Sequence, residues 1–318
     1  MFKVLIADKA DKLCETVLRD RGLEPVVKTG MAPNELKACI AEYDAIIVRS
    51  ATTLTRELVE AATKLKAVAR AGSGVDNIDV PACSEKGVLV MNTPFGNTVS
   101  TGEHAVAMMM ALARHIPQAN ASTHAGKWEK KKFEGVELTG KTLGVVGCGN
   151  IGQVVAERGL GLKMNVVAFD PVLTPEKAKE LGVRLVTLDE LYAQADFITY
   201  HVAMVPATKG MINQDALAKM KKGVRLINCA RGGIMMEADV KAALDSGHVA
   251  GLACDVYATE PATEHMFFGL ENVVCTPHIA ASTKDAQVTV ARQAAEQIAD
   301  YLLDKVRKHA VNGDKVAP

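Results

Sequence analysis

The sequence has no surplus of either charge. Lys and Arg number 37, as do Asp and Glu, so the formal net charge at pH 7 is zero. Such a chain presents no basic field to draw in nucleic acid or an anionic membrane, and neither is expected as a partner. Long apolar runs are missing too. The longest, Ala105 to Ala113, is far too short for a membrane span and fits a buried helix. The opening Met1-Phe2-Lys3-Val4-Leu5-Ile6-Ala7-Asp8 meets charge too soon for a secretory leader and has the pattern of a first strand. Seven cysteines, at 14, 39, 83, 148, 229, 254 and 275, are scattered and form no C-x-x-C pair. They argue against a disulfide frame or a zinc site and for a reduced, cytoplasmic protein; no metal is expected. Low-complexity tracts and internal repeats are also absent. What remains is an ordinary globular balance, 48% hydrophobic and 23% charged over 318 residues, enough for two domains with a core each.

Short apolar runs alternate with helical spacing throughout. Strands are expected over 3–7, 25–28, 45–48, 67–70 and 88–91, with helices over 12–21, 33–42 and 55–62 between them. A long helix over 98–114 follows. Further strands are expected over 143–146, 165–170, 184–186, 197–201, 224–228, 249–253 and 273–275, with a helix over 237–244 and a final amphipathic helix over 284–303. This order predicts an α/β protein made of two doubly wound parallel-sheet domains. Residues 98–284 form a cofactor domain inserted into a discontinuous domain of residues 1–97 and 285–318. Two chain crossings between the lobes would make a hinge with the site in the cleft. The polar end, 305–318, reads as a mobile tail.

The most informative stretch is Lys141-Thr-Leu-Gly-Val-Val-Gly-Cys-Gly-Asn-Ile-Gly152. A strand runs into a helix through G-x-G-x-x-G at Gly147, Gly149 and Gly152. The first glycine permits the turn, the second lets backbone approach a pyrophosphate, and the third lets helix and strand pack closely. Asn150 and Ile151 complete the loop at the helix N-terminus, whose N–H groups and partial positive charge suit phosphate. The next strand closes on Asp170, placed to accept hydrogen bonds from a ribose and to repel a 2′-phosphate, so NAD is the expected cofactor. Cys148 inside the loop is expected to be a structural filler.

Three later segments place ionisable residues just beyond strand ends, where open α/β sheets bind ligands. They are Asn228-Cys-Ala-Arg-Gly-Gly233, Asp255-Val-Tyr-Ala-Thr-Glu-Pro261 and Thr276-Pro-His-Ile-Ala-Ala-Ser-Thr283. Hydride transfer from a 2-hydroxy acid to NAD needs a base for the hydroxyl proton, and His278 suits it. A carboxylate must fix that histidine's tautomer and stabilise its imidazolium, as Glu260 could. A bidentate cation must hold the substrate carboxylate and polarise the C2 oxygen, and Arg231 has the fork for it. In the first half, the glycine-rich turn with Ser73 and Gly74 is a candidate carboxylate cradle. Arg49, following the strand over 45–48, is the main candidate for a substrate phosphate. Glu103 and His104 lie on the long middle helix, with a structural role expected. Lys130, Lys131 and Lys132 beside Trp128 read as a solvated run.

With the glycine loop, these segments resemble the D-isomer-specific 2-hydroxyacid dehydrogenases, over about residues 2 to 303. Specific stretches include Val48-Arg-Ser-Ala-Thr52, Arg70-Ala-Gly-Ser-Gly-Val-Asp-Asn77, Met91-Asn-Thr-Pro-Phe-Gly-Asn97 and Gly126-Lys-Trp-Glu-Lys-Lys-Lys-Phe133. The resemblance implies a Rossmann NAD-binding domain inserted into a flavodoxin-like substrate-binding domain. It implies Arg231, Glu260 and His278 as catalytic groups and Asp255 near the nicotinamide amide. His201, Cys229, Ala230, His278 and Ala280 are the further implied cofactor contacts, and Asn97 joins Arg49, Ser73, Gly74 and Arg231 on the substrate side. The implied activity is NAD-dependent oxidation of a phosphorylated D-2-hydroxy acid. Alternatives are reduction of glyoxylate, hydroxypyruvate or another 2-hydroxy acid's keto form, and, in another class, a corepressor-like NAD-sensing scaffold. A homodimer joined through residues 98–132 is implied as well.

The chain departs from the family pattern in several places. Val202-Ala203 stands where Thr-Pro is usual, removing a hydroxyl. Met235-Met236 lacks the acid often found after Arg-Gly-Gly, leaving the following helix without an evident cap. Ala258 takes a position often held by a polar residue. Many relatives continue into a C-terminal serine-sensing domain, and regulation through such a domain is not expected.

Overall fold

The computed structural model describes residues 1–316; the last two residues of the expected mobile tail lie outside the described residues. The chain forms two compact units, Met1–Asn97 with the segment from Ser282 onward, and Thr98–Ala281.

The first unit is built on five strands: β1 (Lys3–Ile6), β2 (Glu24–Val27), β3 (Ala45–Val48), β4 (Ala67–Arg70) and β5 (Leu89–Asn92). All pair in parallel in the order β2-β1-β3-β4-β5, which is the flavodoxin-like order. Every residue of β3 is buried, as expected for a central strand covered on both faces. Alternation sorts the side chains. Val4, Ile6, Ile47, Ala69 and Met91 face the helix Lys284–Asp304 through Val290, Ala294, Ile298 and Leu302. Leu5, Ile46, Val48, Val68 and Val90 form the opposite core with Leu36, Leu58, Val59 and Cys83. The long helix starts at Thr283, whose side chain accepts the Ala286 N–H at 3.1 Å, a cap contributing about 1 kcal/mol.

One expectation fails here. The tail is not loose: Val311 N donates to Val90 O at 2.7 Å, and Ala310 bridges antiparallel to Met91. The Asn312 side chain, 3% exposed, accepts from Val90 N and donates to Val88 O and Ser84 Oγ. The segment thereby satisfies the outer edge of β5, an edge that polar composition alone did not reveal.

The second unit carries seven parallel strands: β6 (Thr142–Val146), β7 (Asn165–Phe169), β8 (Arg184–Leu185), β9 (Phe197–Tyr200), β10 (Val224–Asn228), β11 (Val249–Cys254) and β12 (Val273–Cys275). Their order, β12-β11-β10-β9-β6-β7-β8, reverses direction between β6 and β9, the switch point at which such sheets bind ligands. One face packs on Met108, Met109 and Leu112 of the helix Thr98–Arg114 and on Val155 of the helix Asn150–Gly161. The other packs on Leu191, Tyr192, Leu217 and Val240. All twelve expected strands are present, shifted by no more than one residue at an end. The helix Ile116–His124 was not expected; His115 takes a left-handed conformation (φ 52°), which breaks the preceding helix and lets the chain restart. Among the described residues no helix is long and apolar enough to cross a membrane.

Candidate active site

The glycine loop leaves β6 at the switch point. Gly147 has φ +88°, and a Cβ there would lie 2.7 Å from His201 O; its N–H donates to Phe169 O at 2.8 Å. At Gly152 a Cβ would lie 2.1 Å from Gly147 O, so loop and helix close tightly only because this residue is glycine. A Cβ at Gly149 would meet no atom within 4 Å. Its face is open, as an approaching pyrophosphate requires, and it caps the twelve-residue helix Asn150–Gly161. Asn150 is exposed there and Ile151 is half-buried.

Asp170 stands just past β7. One carboxylate oxygen accepts Cys148 N at 2.8 Å and the other accepts Val172 N at 2.8 Å and Leu173 N at 3.2 Å. The carboxylate therefore ties the glycine loop to the β7 turn, a task its sequence position did not disclose, and keeps acceptor capacity for a ribose hydroxyl. Burial first, and the Asp170 charge second, push the Cys148 thiol up to about 11, so it remains a protonated filler. His201 follows β9. Its Nε2 lies 2.8 Å from Thr199 Oγ1, its Nδ1 is buried without a partner, and burial pushes its pKa down to about 4. An orphaned polar atom past β9, an open glycine and a helix N-terminus past β6 together fit a bound dinucleotide. Val202, in place of the usual Thr, would touch a Gly147 Cβ at 2.9 Å and so packs on the loop instead of offering a hydroxyl.

The three chemistry-bearing segments converge because β10, β11 and β12 end in register, with Asn228 opposite Cys254 and Cys254 opposite Cys275. Asn228, 1% exposed, shapes the first turn: its side chain accepts Ala230 N and donates to Arg231 O. Arg231 Nη1 donates to Ala230 O at 2.7 Å, and Cys229 and Ala230 are buried. Glu260 Oε2 lies 2.6 Å from His278 Nδ1, and Glu260 Oε1 accepts Tyr257 N at 3.0 Å. His278 sits at φ 54°, a conformation costly for this residue type. Asp255 helps to hold it there. Fully buried, it accepts Thr276 Oγ1 at 2.5 Å and the N–H groups of Ile279 and Ala280 at 2.9 Å. Burial alone would push the Asp255 carboxyl up; His104, Thr276 and those two N–H groups outweigh it and hold it below its ordinary range.

His104, for which a structural role is expected, reaches the end of β12. Its Nε2 is 3.2 Å from Thr276 Oγ1 and 3.5 Å from Asp255 Oδ1. No local pattern marks it, because the contact depends on packing of the helix Thr98–Arg114 against the end of β12.

In the first unit, Arg49 follows β3. Its N–H donates to Asp8, its Nη1 donates to Lys9 O at 2.8 Å, and its Nε is buried without a partner. Burial lowers its pKa, with Asp8 opposing. It lines a cavity of about 590 Å³ with Asp11, Ser282, Thr283, Lys284, Gln287 and Val288. Ser73 Oγ donates to Asn97 Oδ1 at 2.6 Å, and Asn92 Nδ2 donates to Ser73 O, so Ser73 and Asn97 are brought together beside the turn at Gly74. Arg70, at the end of β4, was not singled out. Its guanidinium folds beneath Gly72, where a Cβ would come within 1.6 Å of Nη1. Of the three lysines beside Trp128, Lys132 pairs with Glu271 at 2.6 Å.

Two parallel α/β sheets, one with a dinucleotide-type glycine loop at its switch point and a His–Glu pair past its strand ends, have the form of an NAD-linked dehydrogenase fold. Residues 106–280 match the family described as D-isomer specific 2-hydroxyacid dehydrogenase, NAD binding domain. The chain belongs to this family. It is 47% identical over 318 residues to D-3-phosphoglycerate dehydrogenase of Synechocystis sp., covering 100% of this chain and 57% of that protein. It is also 47% identical to D-3-phosphoglycerate dehydrogenase of Archaeoglobus fulgidus, covering 100% of this chain and 60% of the relative. The chain thus spans little more than half the length of these curated relatives. In fold it is similar to a glyoxylate reductase from Paecilomyes thermophila, with a TM-score of 0.90 at 28% identity, covering 98% of this chain and 99% of that one.

Proposed function

We propose that the protein oxidises D-3-phosphoglycerate to 3-phosphohydroxypyruvate with NAD as acceptor, the first step of serine biosynthesis. The observation that carries this reading is the 2.6 Å contact of His278 Nδ1 with Glu260 Oε2 beside the turn that presents Arg231. With Nδ1 held by the carboxylate, Nε2 of His278 removes the C2 hydroxyl proton, and Glu260 stabilises the imidazolium that forms. Arg231 holds the substrate carboxylate and polarises the C2 oxygen as it becomes a carbonyl. NAD, when bound, accepts the hydride from C2. Gly147, Gly149 and Gly152 with the helix N-terminus hold its pyrophosphate, joined by Asn150 and Ile151, and Asp170 holds the adenosine ribose. His201, Cys229, Ala230, Asp255 and Ala280 flank the nicotinamide. Arg49 receives the substrate phosphate, with Ser73, Gly74 and Asn97 on the substrate side. The fold likeness to a glyoxylate reductase supports a second reading, reduction of an unphosphorylated 2-keto acid such as glyoxylate or hydroxypyruvate.

The protein is proposed to be a cytoplasmic homodimer. All seven cysteines are free, and the helix Ile116–His124 buries none of its residues within the chain. Trp128, 87% exposed, lies on the same stretch. Sedimentation showing only a monomer would contradict the dimer.

The decisive assay follows NADH formation from a panel of 2-hydroxy acids, with the keto product trapped. No turnover of 3-phosphoglycerate overturns the proposal, and a higher kcat/KM for glyoxylate or hydroxypyruvate establishes the second reading. Arg49→Gln is expected to raise KM for the phosphorylated substrate at least about tenfold while leaving an unphosphorylated acid nearly unaffected.

A further inference from the structure

The three catalytic candidates come from three strand ends, and one residue of the middle segment, Tyr257, touches the other two, through its hydroxyl and its main chain. Tyr257 is buried, 7% exposed. Its N–H donates to Glu260 Oε1 at 3.0 Å. Its hydroxyl donates to Thr276 O at 3.0 Å, two residues before His278. Its carbonyl lies against Gly232, next to Arg231: a Cβ on Gly232 would come within 1.9 Å of the Tyr257 carbonyl carbon and 2.1 Å of its oxygen.

A second histidine–carboxylate pair braces this residue. His265 Nε2 is 3.1 Å from Glu237 Oε2, and Glu237 Oε1 accepts the N–H of Ala258 at 3.0 Å. Two carboxylates, Glu260 and Glu237, thus take consecutive N–H groups of one turn. The His265 ring meets the Tyr257 ring at 5.1 Å between centroids, and Phe268 meets it at 5.8 Å. The helix Glu237–Asp245 begins at Met236 with no side-chain cap, so the acid at its first position is directed to the turn instead. Burial pushes the Tyr257 phenol well above its ordinary value, keeping the hydroxyl a proton donor at any working pH. Ring packing alone needs neither that hydroxyl nor the two acceptors on adjacent N–H groups; a Phe would fill the same space.

We propose that Tyr257 is a positioning residue that holds Glu260, His278 and Arg231 in a common register, with the Glu237–His265 pair as its brace. The inference rests on the dehydrogenase reading above for its kinetic consequence, though not for its geometry. Displacement of a reacting group by about 1 Å can cost about a hundredfold in rate, so a residue joining all three segments, by its main chain and its hydroxyl, has leverage on catalysis without touching substrate.

Tyr257→Phe keeps the ring and deletes the hydroxyl, with its contacts to Thr276 O at 3.0 Å and to Cys254 O at 3.4 Å. The expected result is a kcat lower by about tenfold, with KM and the NADH dissociation constant within roughly twofold of the parent protein. Combined with Glu260→Gln it should cost no more than Glu260→Gln alone, because both act on the same histidine. Glu237→Gln should lower kcat in the same direction by a smaller factor, and serves if Tyr257→Phe folds poorly. Imidazole NMR reads the geometry directly: the His278 resonance, assigned by its loss in His278→Asn, should move in Tyr257→Phe. A fall in Tm with kcat unchanged would reduce Tyr257 to packing and overturn the inference. So would an unmoved His278 resonance, whether or not any 2-hydroxy acid is turned over. Absence of turnover in the parent protein removes the proposed function alone, and the NMR comparison still decides this one.

Discussion

Two histidine–carboxylate pairs lie close together in the second unit, and they differ in which ring nitrogen is engaged. In His278–Glu260 the side chains are 48% and 33% exposed, and the carboxylate holds Nδ1. Among the described residues Nε2 of His278 has no protein partner, so that nitrogen remains available to a substrate hydroxyl. In His265–Glu237 the side chains are 11% and 17% exposed, Nε2 faces the carboxylate, and Nδ1 accepts the Phe267 N–H at 3.3 Å. Both of its nitrogens are engaged, and the ring is walled by Tyr257, Phe267 and Phe268. The same two residue types make the proposed reactive dyad in one setting and the proposed brace in the other. Solvent access and the fate of the second nitrogen separate them, not the presence of a carboxylate.

Substitution of the two histidines should break this comparison most sharply. His278→Asn is expected to lower kcat by about 10³-fold or more while the NADH dissociation constant stays within roughly twofold, as measured by steady-state kinetics and fluorescence titration. Turnover that survives the change would remove His278 from the role of base. Glu260→Gln comes next. It keeps the shape but removes the charge that stabilises the imidazolium, and a loss of about 10²-fold in kcat with little change in KM is expected. An equal loss in His265→Asn would mean that the two pairs are not different in kind. The structure instead assigns His265→Asn a stability cost of about 1–2 kcal/mol, read as a lower Tm, with a kcat loss of about tenfold or less.

Much of this architecture was legible in the sequence, and the rest was hidden for specific reasons. Strand runs such as Ala45–Val48 and Val224–Asn228 were plain because buried parallel strands are apolar on both faces. The glycine loop and Asp170 were plain because close backbone approach permits few residue types. His278 and Glu260 could be paired because each follows a strand end and the strands end in register. The contacts of His104, Arg70, Glu237 and His265 were not legible in the sequence. His104, Glu237 and His265 make contacts through packing between separate elements, whereas Arg70 folds back under Gly72 within its own turn, a side-chain path that the sequence does not disclose. The tail over 305–318 was misjudged because Asn312 is polar yet buried, its amide replacing the strand partner that β5 lacks. A polar residue that satisfies a sheet edge has the same composition signal as one that faces water.

A third histidine completes the comparison by having no carboxylate at all. His201 has Thr199 on Nε2 and nothing on Nδ1, and burial lowers its pKa to about 4 from the model-peptide value of 6.5. The folded protein therefore holds this ring neutral where the unfolded chain would bind a proton. Between those two values the unfolded state carries more protons, so stability falls as pH is lowered from about 6.5 towards 4 and is fully present above that window. His201 is only part-buried, and solvent screening limits its contribution between pH 7 and pH 5 to the order of 1 kcal/mol. Thermal melts across this range should show a shallower acid slope for His201→Gln than for the parent protein. Bound NAD should flatten the slope further only if the orphaned Nδ1 meets the cofactor. An acid slope unchanged by His201→Gln would show that the ring gains its proton without cost, and that burial without a partner does not set this histidine apart from the other two.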